Sequence, residues 1–102
     1  MYDEKTAKKW WAAEAMLVQA SDFLITPDKF VLERKSIKHY EKDLRKDELK
    51  ASMLQLEDIA KKHGAESGFW RRIKKAATQM DLHEKVDEYE SAFHEALANS
   101  NE

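Results

Sequence analysis

Apolar residues recur along the chain at helical spacing, in five blocks whose apolar faces point in different directions. In the first block, about residues 3–25, Trp10, Trp11, Leu17 and Leu24 share one face. Met16 and Phe23 belong to a second apolar strip almost opposite. Burial on one side only would leave that second strip in water. We therefore predict a helix that is central to the bundle, while an intermolecular contact, and with it a homodimer, stays open.

Residues that start or stop helices separate the blocks. Thr26-Pro27 is a start signal for the second helix, because threonine caps a helix and proline is tolerated at its first position. Asp47 and Ser67 are suitable N-caps, and Gly64 is a left-handed stop. Asp81, with Glu84 three residues later, predicts a capping box. The predicted helices are about 3–25, 27–45, 48–63, 68–80 and 82–98.

The fold class predicted from these blocks is all-α, a small bundle of about five helices packed as antiparallel hairpins. A chain of 102 residues is long enough for one core, so residues 1–102 are expected to form a single domain. Two glycines and one proline supply few of the turns that a β fold would need. The predicted core is Trp10, Leu17, Phe30, Ile37, Leu44, Met53, Leu56, Ile59, Trp70, Ile73, Val86, Tyr89 and Phe93.

The residues that several classes of function require are absent from this sequence. The absence of cysteine excludes disulfides, thiolate catalysis and cysteine-ligated zinc. No phosphate-binding glycine loop or local catalytic signature is present, so we expect neither an enzyme nor a bound cofactor. The charged start and the lack of a long apolar run predict a cytoplasmic protein that makes no membrane contact.

The last helix also carries His83, Asp87, Glu90 and His94 on one strip. Histidine and carboxylate side chains are metal ligands, but residues along one helix spread over more than two turns. A single ion would need further ligands from another helix. We therefore predict no metal site from this strip and expect solvent-facing pairs instead.

Charge is unevenly distributed along a chain whose formal net charge is −2. Residues 61–75 contain six Lys or Arg residues against one acid, whereas residues 81–102 contain seven acids against one lysine. The acidic last helix predicts a surface for a basic protein partner. The residues proposed for that contact are Glu84, Asp87, Glu88, Glu90, His94 and Glu95.

This pattern is typical of a small, non-catalytic protein-binding module. An adaptor would fit it, and so would a stoichiometric inhibitor of the antitoxin or immunity type that covers a basic surface. The prediction rests on charge and size, and it leaves the identity of the partner open.

A second interpretation comes from the stretch 56–76, in which Ala60, Gly64, Trp70 and Ile73 occupy the packing and turn positions of a DNA-binding helix-turn-helix. The stretch resembles that motif over about a fifth of the chain, although His63 stands where an apolar residue is usual. The resemblance implies a nucleic-acid partner with phosphate contacts from Arg71, Arg72, Lys74 and Lys75. In the alternative, the basic fourth helix packs beside the acidic fifth and part of the charge is neutralised internally.

Overall fold

The computed structural model describes residues 4–25, 33–46 and 48–99. These residues form five helices and no strand, which confirms the all-α bundle. The helices are α1 (Glu4–Leu24), α2 (Arg34–Arg45), α3 (Leu49–His63), α4 (Ser67–Gln79) and α5 (His83–Asn99). The predicted start of the second helix at Thr26-Pro27, the core residue Phe30 and the cap Asp47 lie outside the described residues.

The helices pack as two hairpins joined through α1. Helix α2 packs on α3, α4 packs on α5, and α1 lies between the hairpins, with an extensive contact to α4 and a smaller one to α3. The bundle measures 48 × 28 × 18 Å. Because a helix with its side chains is about 10–12 Å thick, the shortest dimension corresponds to two layers of helices.

The buried side of α1 is centred between the two apolar strips that the sequence suggested, and it includes Leu17 and Leu24 of the first strip. Ala13, Leu17, Ala20 and Leu24 are fully buried, whereas Trp11, placed on the predicted face, is 69% exposed. The prediction was wrong for Trp11 because the buried side of α1 is formed by these Ala and Leu residues, which are spaced three or four residues apart, and Trp11 points away from that side. Small alanines at this contact let the neighbouring helices approach closely.

Most of the predicted core is buried. The buried members are Leu17, Ile37, Met53, Leu56, Ile59, Trp70, Ile73 and Tyr89. Four more are half-buried and pack against that cluster, namely Trp10, Leu44, Val86 and Phe93. Phe69, Ala76 and Ala77 of α4 complete the contact with α1 and α5, and all three are fully buried.

The turn between α3 and α4 differs in detail from the prediction. Gly64 ends α3 with a positive φ of 78°, but its ψ of 158° is extended, so the residue does not adopt the left-handed helical conformation expected of it. This region of the backbone is accessible almost only to glycine. Ser67 is the first residue of α4 and not its N-cap, since Glu66 occupies the cap position with an extended backbone and no side-chain cap bond.

Asp81 ends α4 and does not begin α5, which corrects the predicted capping box. Its φ of 58° is positive, and α5 begins at His83. The Asp81 N–H donates to the Thr78 carbonyl at 3.1 Å, and the Leu82 N–H donates to the Ala77 carbonyl at 3.0 Å. This pair of bonds defines a Schellman motif, in which aspartate takes the position that glycine usually occupies.

Candidate partner-binding surface on the last helix

The acidic side chains of α5 lie on its solvent-facing side. All six residues predicted to contact a partner are exposed. We call this set the acidic face; it consists of Glu84, Asp87, Glu88, Glu90, His94 and Glu95. The opposite side of α5 packs against the bundle. Tyr89 is fully buried there, and Val86, Ala92, Phe93 and Ala96 are half-buried.

Part of the acidic face is neutralised within the molecule. The Glu90 carboxylate lies 3.3 Å from Lys74 Nζ of α4 and 3.9 Å from His94 Nε2. Glu88 accepts a hydrogen bond from Lys85 Nζ at 3.0 Å. In contrast, Glu84, Asp87 and Glu95 form no ion pair with any described residue. Three carboxylates of the face therefore remain available for cations from outside.

On its inner side, α5 is joined to α3 by a buried carboxylate. Glu57 is 5% exposed, and its Oε1 accepts hydrogen bonds from the Tyr89 hydroxyl at 2.6 Å and from Lys85 Nζ at 2.9 Å. Its other oxygen lies 3.1 Å from Lys61 Nζ, one turn later on α3. We call this group the Glu57 network. Lys85, the one Lys or Arg residue of α5, thus binds both the buried Glu57 and Glu88 of the acidic face, so its charge is shared between the two carboxylates.

The pKa values of the network reflect these bonds. Burial alone raises the pKa of the Glu57 carboxyl, but hydrogen bonds from Tyr89, Lys85 and Lys61 outweigh it, so the pKa lies below its ordinary value of 4.5. Burial, followed by the bond to Glu57, raises the pKa of the Tyr89 hydroxyl well above its ordinary value of 10.0. The hydrogen bond to Glu57 raises the pKa of Lys85. At neutral pH the network therefore holds an ionised carboxylate, an ammonium group and a neutral phenol.

A second carboxylate, Glu33, joins the start of α2 to the end of α3. Its Oε1 lies 2.7 Å from Lys62 Nζ and 2.8 Å from His63 Nε2. Hydrogen bonds from Lys62 and then from His63 lower the pKa of the Glu33 carboxyl. His63 thus has a polar contact at the position where a helix-turn-helix usually has an apolar one.

The basic residues of α4 are divided between internal contacts and solvent. Arg71 and Lys75 are exposed. Arg72 donates from Nη1 to the Gly68 carbonyl at 3.1 Å, and its guanidinium lies 4.3 Å from the centre of the Phe23 ring. Lys74 pairs with Glu90 of α5. Internal neutralisation between α4 and α5 is therefore limited to one ion pair.

Gly68 has a packing role in this contact. A Cβ atom at this position would lie 2.8 Å from the Phe23 ring, which is closer than carbon atoms approach. Glycine therefore leaves room for the Phe23 ring, which lies between Gly68 and the Arg72 guanidinium. The beginning of α4, which would enter a DNA groove in a helix-turn-helix, is instead partly covered by α1.

The predicted helix-turn-helix also differs in its packing. In that motif the two helices pack on each other across the turn. Here α3 packs mainly on α2, and α4 packs on α1 and α5, so α3 and α4 are not among the closely packed helix pairs of the described chain. The apolar side of α4 is used by its contacts with α1 and α5. This arrangement gives the DNA interpretation less support than the acidic face gives protein binding.

Two surface depressions border these elements. The larger, about 610 Å³, is an apolar groove lined by Trp10, Leu49, Leu54, Met80 and Leu82, with Glu48 and Lys50 beside it. The smaller, about 230 Å³, lies between the end of α3 and the last turns of α5. We call it the notch; small residues and one indole line it, Ala60, Gly64, Ala65, Trp70, Ala92 and Ala96, with Lys61, Glu95 and Asn99 beside them.

Two other kinds of site are absent from the described residues. No three histidine, aspartate or glutamate side chains there lie close enough together to hold a metal ion. The strip of His83, Asp87, Glu90 and His94 contains only the Glu90–His94 pair at 3.9 Å. Within the same part of the chain, no helix combines the length and apolarity that crossing a membrane requires.

Sequence reasoning found the acidic face but missed the Glu57 network and the notch. A signal for the network was present: Glu57 interrupts the apolar stripe formed by Met53, Leu56 and Ala60, so a helix that buries this stripe also buries the carboxylate. Comparison of the chain with protein-family models, with curated proteins and with solved structures gave no match. The fold and site together define a small all-α bundle with one acidic helix face.

Proposed function

We propose that this protein is a non-catalytic binding module that docks a basic protein partner through the acidic face of α5. The observation that carries the proposal is that Glu84, Asp87 and Glu95 point to solvent without a cation from the described residues. Complementary charge steers association and selects against wrong partners. A partner that presents lysine and arginine side chains would supply the missing cations.

The rigidity of α5 supports the same proposal. A binding surface loses less free energy on association when its side chains are already held in place. The Glu57 network fixes α5 to α3, and the Lys74–Glu90 pair fixes it to α4. The acidic face is thus presented on a helix anchored on two sides.

Among binding modules, we favour a stoichiometric inhibitor of the antitoxin or immunity type, with a general adaptor as the broader class. A small helical chain with a preformed acidic face suits the covering of a basic surface such as that of a nuclease. The class follows from charge and size and not from any relative of the chain.

Charge reversal tests the proposed surface. The partner recovered from the native cell is titrated calorimetrically with the wild-type chain and with a Glu84→Lys, Asp87→Lys, Glu88→Lys variant. We expect the dissociation constant to rise at least about tenfold, because like charges then face the partner. Lys35→Glu with Lys38→Glu, on the exposed side of α2, is the control that changes charge away from the face. Equal affinity of the wild-type and reversed chains would rule out this surface.

DNA binding through α4 is the competing function, and one observation favours it: Arg71 and Lys75 are exposed one helical turn apart. It predicts that duplex DNA is retained at low salt, that affinity falls steeply as salt rises, and that Arg71→Glu with Lys75→Glu abolishes retention. We expect no retention of duplex DNA by the wild-type chain. Salt-dependent retention lost in this variant would replace the proposed function.

A further inference from the structure

We propose that the notch between α3 and α5 receives an arginine side chain of the basic partner. This inference rests on the proposed function and adds to it a specific anchoring point. The notch adjoins the acidic face through Glu95, so an arginine that approaches the face can extend its side chain into it.

The size of the notch suits a side chain. Pockets for small-molecule ligands usually have about 300–1,000 Å³, and the notch has about 230 Å³. The depression is lined by alanine or glycine at positions one turn apart on each side, Ala60 and Gly64 at the end of α3 and Ala92 and Ala96 on α5. Larger residues at any of these positions would fill it.

The floor of the notch is aromatic and held in place. Trp70 lines it and is 7% exposed. The indole packs edge-on against Phe69, with ring centres 5.0 Å apart, and lies 5.9 Å from the centre of the Tyr89 ring. Because the Tyr89 hydroxyl is bound to Glu57, the whole floor is anchored to α3. Indole rings attract cations, guanidinium groups in particular, so a cation in the notch would meet the small part of the Trp70 ring that stays exposed.

Negative charge surrounds the notch on two sides. Glu95 stands beside it, exposed and without an ion pair from the described residues. On the other side is the end of α3, where no turn or cap hydrogen bond from the described chain reaches the carbonyls of residues 60–63. Free carbonyls at a helix C-terminus carry partial negative charge and accept hydrogen bonds. The residues that line the notch thus combine an exposed carboxylate, the uncapped end of α3 and the edge of a mostly buried indole.

Lys61 also lines the notch, and its charge must be accounted for. Its ammonium group lies 3.1 Å from the buried Glu57 carboxylate, so its charge is paired within the Glu57 network. Arginine fits the remaining groups better than lysine, because the five N–H donors of a planar guanidinium can reach both a carboxylate and carbonyl oxygens while the group contacts the exposed part of the indole. A lysine ammonium could satisfy only part of this arrangement.

A nuclear magnetic resonance titration with capped hexa-arginine peptide tests the proposal, with capped hexa-lysine as the comparison. We expect the Trp70 indole N–H and the amides of Gly64, Ala65 and Ala96 to shift on addition of the arginine peptide. The lysine peptide should bind several-fold more weakly and leave the indole signal nearly unchanged. Equal shifts of the indole by both peptides would overturn the choice of arginine.

Three variants separate the notch from general attraction to the acidic face. Glu95→Gln should weaken binding of the arginine peptide about threefold or more and reduce the indole shift. Glu84→Gln removes the same charge elsewhere on α5 and should leave the indole shift intact. Ala96→Leu fills the notch without changing charge and should also reduce the shift. If the leucine variant loses its helical circular dichroism, the comparison of Glu95→Gln with Glu84→Gln decides alone.

The outcomes distinguish the two levels of the proposal. Shifts confined to Glu84, Asp87 and Glu88, with Trp70 unmoved, would overturn the notch and leave the acidic face as the binding surface. The absence of any shift with either peptide would contradict both the notch and the proposed function. Loss of the indole shift in Glu95→Gln, with its retention in Glu84→Gln, would support both.

Discussion

Glu57 of α3 contacts α5 and Glu95 belongs to it, but the surroundings of the two carboxylates are opposite. Glu57 is buried and bound by a phenol and two ammonium groups, whereas Glu95 is exposed and has no cation among the described residues. Burying a charge costs free energy unless it is paired and hydrogen-bonded, whereas an exposed charge stays hydrated at little cost. Glu57 therefore stabilises the fold, and Glu95 is available to bind a partner.

The comparison indicates how one helix can serve two purposes. Lys85 and Tyr89 turn toward α3 and supply the donors that Glu57 needs. The remaining charges of α5 are left on the outside, where they contribute little to stability. Substitutions on the inner side should thus change the free energy of unfolding, and substitutions on the outer side should change binding.

Replacement of Glu57 by alanine should have the largest effect. It removes the acceptor of the buried Tyr89 hydroxyl and of Lys85, so we expect a loss of about 2–4 kcal/mol in the free energy of unfolding. Chemical denaturation measured by circular dichroism checks it. Glu95→Ala is the matched control on the outer side and should change stability by less than about 0.5 kcal/mol. Equal effects of the two substitutions would remove the distinction between inner and outer carboxylates.

Acidification should reproduce part of the Glu57→Ala loss. The pKa of Glu57 is lowered in the folded state, so its stabilisation is complete above the ordinary value of 4.5 and is lost as pH falls through the folded value. The pKa of Tyr89 is raised, so its contribution is complete below 10.0 and is lost at higher pH. We expect a plateau of stability between these limits in denaturation experiments across pH.

The variant Glu57→Gln tests whether Glu57 causes the loss of stability at acid pH. It should flatten the decline below pH 4.5, leaving the part that comes from Glu33, whose pKa is lowered in the same direction. An equally large decrease in the free energy of unfolding at acid pH in this variant would show that Glu57 does not cause it.

Replacement of Tyr89 by phenylalanine should have a smaller effect. The ring remains against Trp70, and only the 2.6 Å hydrogen bond to Glu57 is removed. Because Lys85 and Lys61 still bind the carboxylate, we expect a loss of about 1–2 kcal/mol. A loss as large as that of Glu57→Ala, measured in the same denaturation series, would mean that the lysines add nothing to the network.

The smallest effect should come from the turn that directs α5. Asp81→Gly relieves the positive φ at the end of α4, while it removes an exposed ion pair with Lys9 at 3.7 Å. Glycine is favoured at this position of a Schellman motif, so we expect a gain of about 0.5 kcal/mol in thermal unfolding. Asp81→Ala removes the same ion pair without relieving the strain and should destabilise. A gain from alanine as well would contradict the role of backbone strain.

Much of the fold could be predicted from sequence because helical periodicity and helix-ending residues are local. The positions of α3, α4 and α5 follow from apolar stripes and from Gly64 and its neighbours. The roles of Ser67 and Asp81 were mistaken because the same residue types are favoured both at helix starts and in turns. Which of the two possibilities applies depends on backbone angles that the sequence does not state.

The candidate site could be predicted only on its outer side. The residues of the acidic face lie off the apolar stripe of α5 and are exposed whatever lies beneath them, so the face can be read from the sequence. The inner contacts depend on how α5 is rotated against α3, which brings Lys85 next to a carboxylate 28 residues earlier. The notch likewise depends on small residues of two helices, distant in sequence, lining the same depression. Contacts between distant segments leave weak signals in a single sequence.

The most direct test of the central claim measures the affinity of the basic partner for the Glu84→Lys, Asp87→Lys, Glu88→Lys variant beside its free energy of unfolding. We predict that the dissociation constant rises at least about tenfold while the helical content and cooperative unfolding are retained. Unchanged affinity in a folded variant would contradict the assignment of the acidic face to binding.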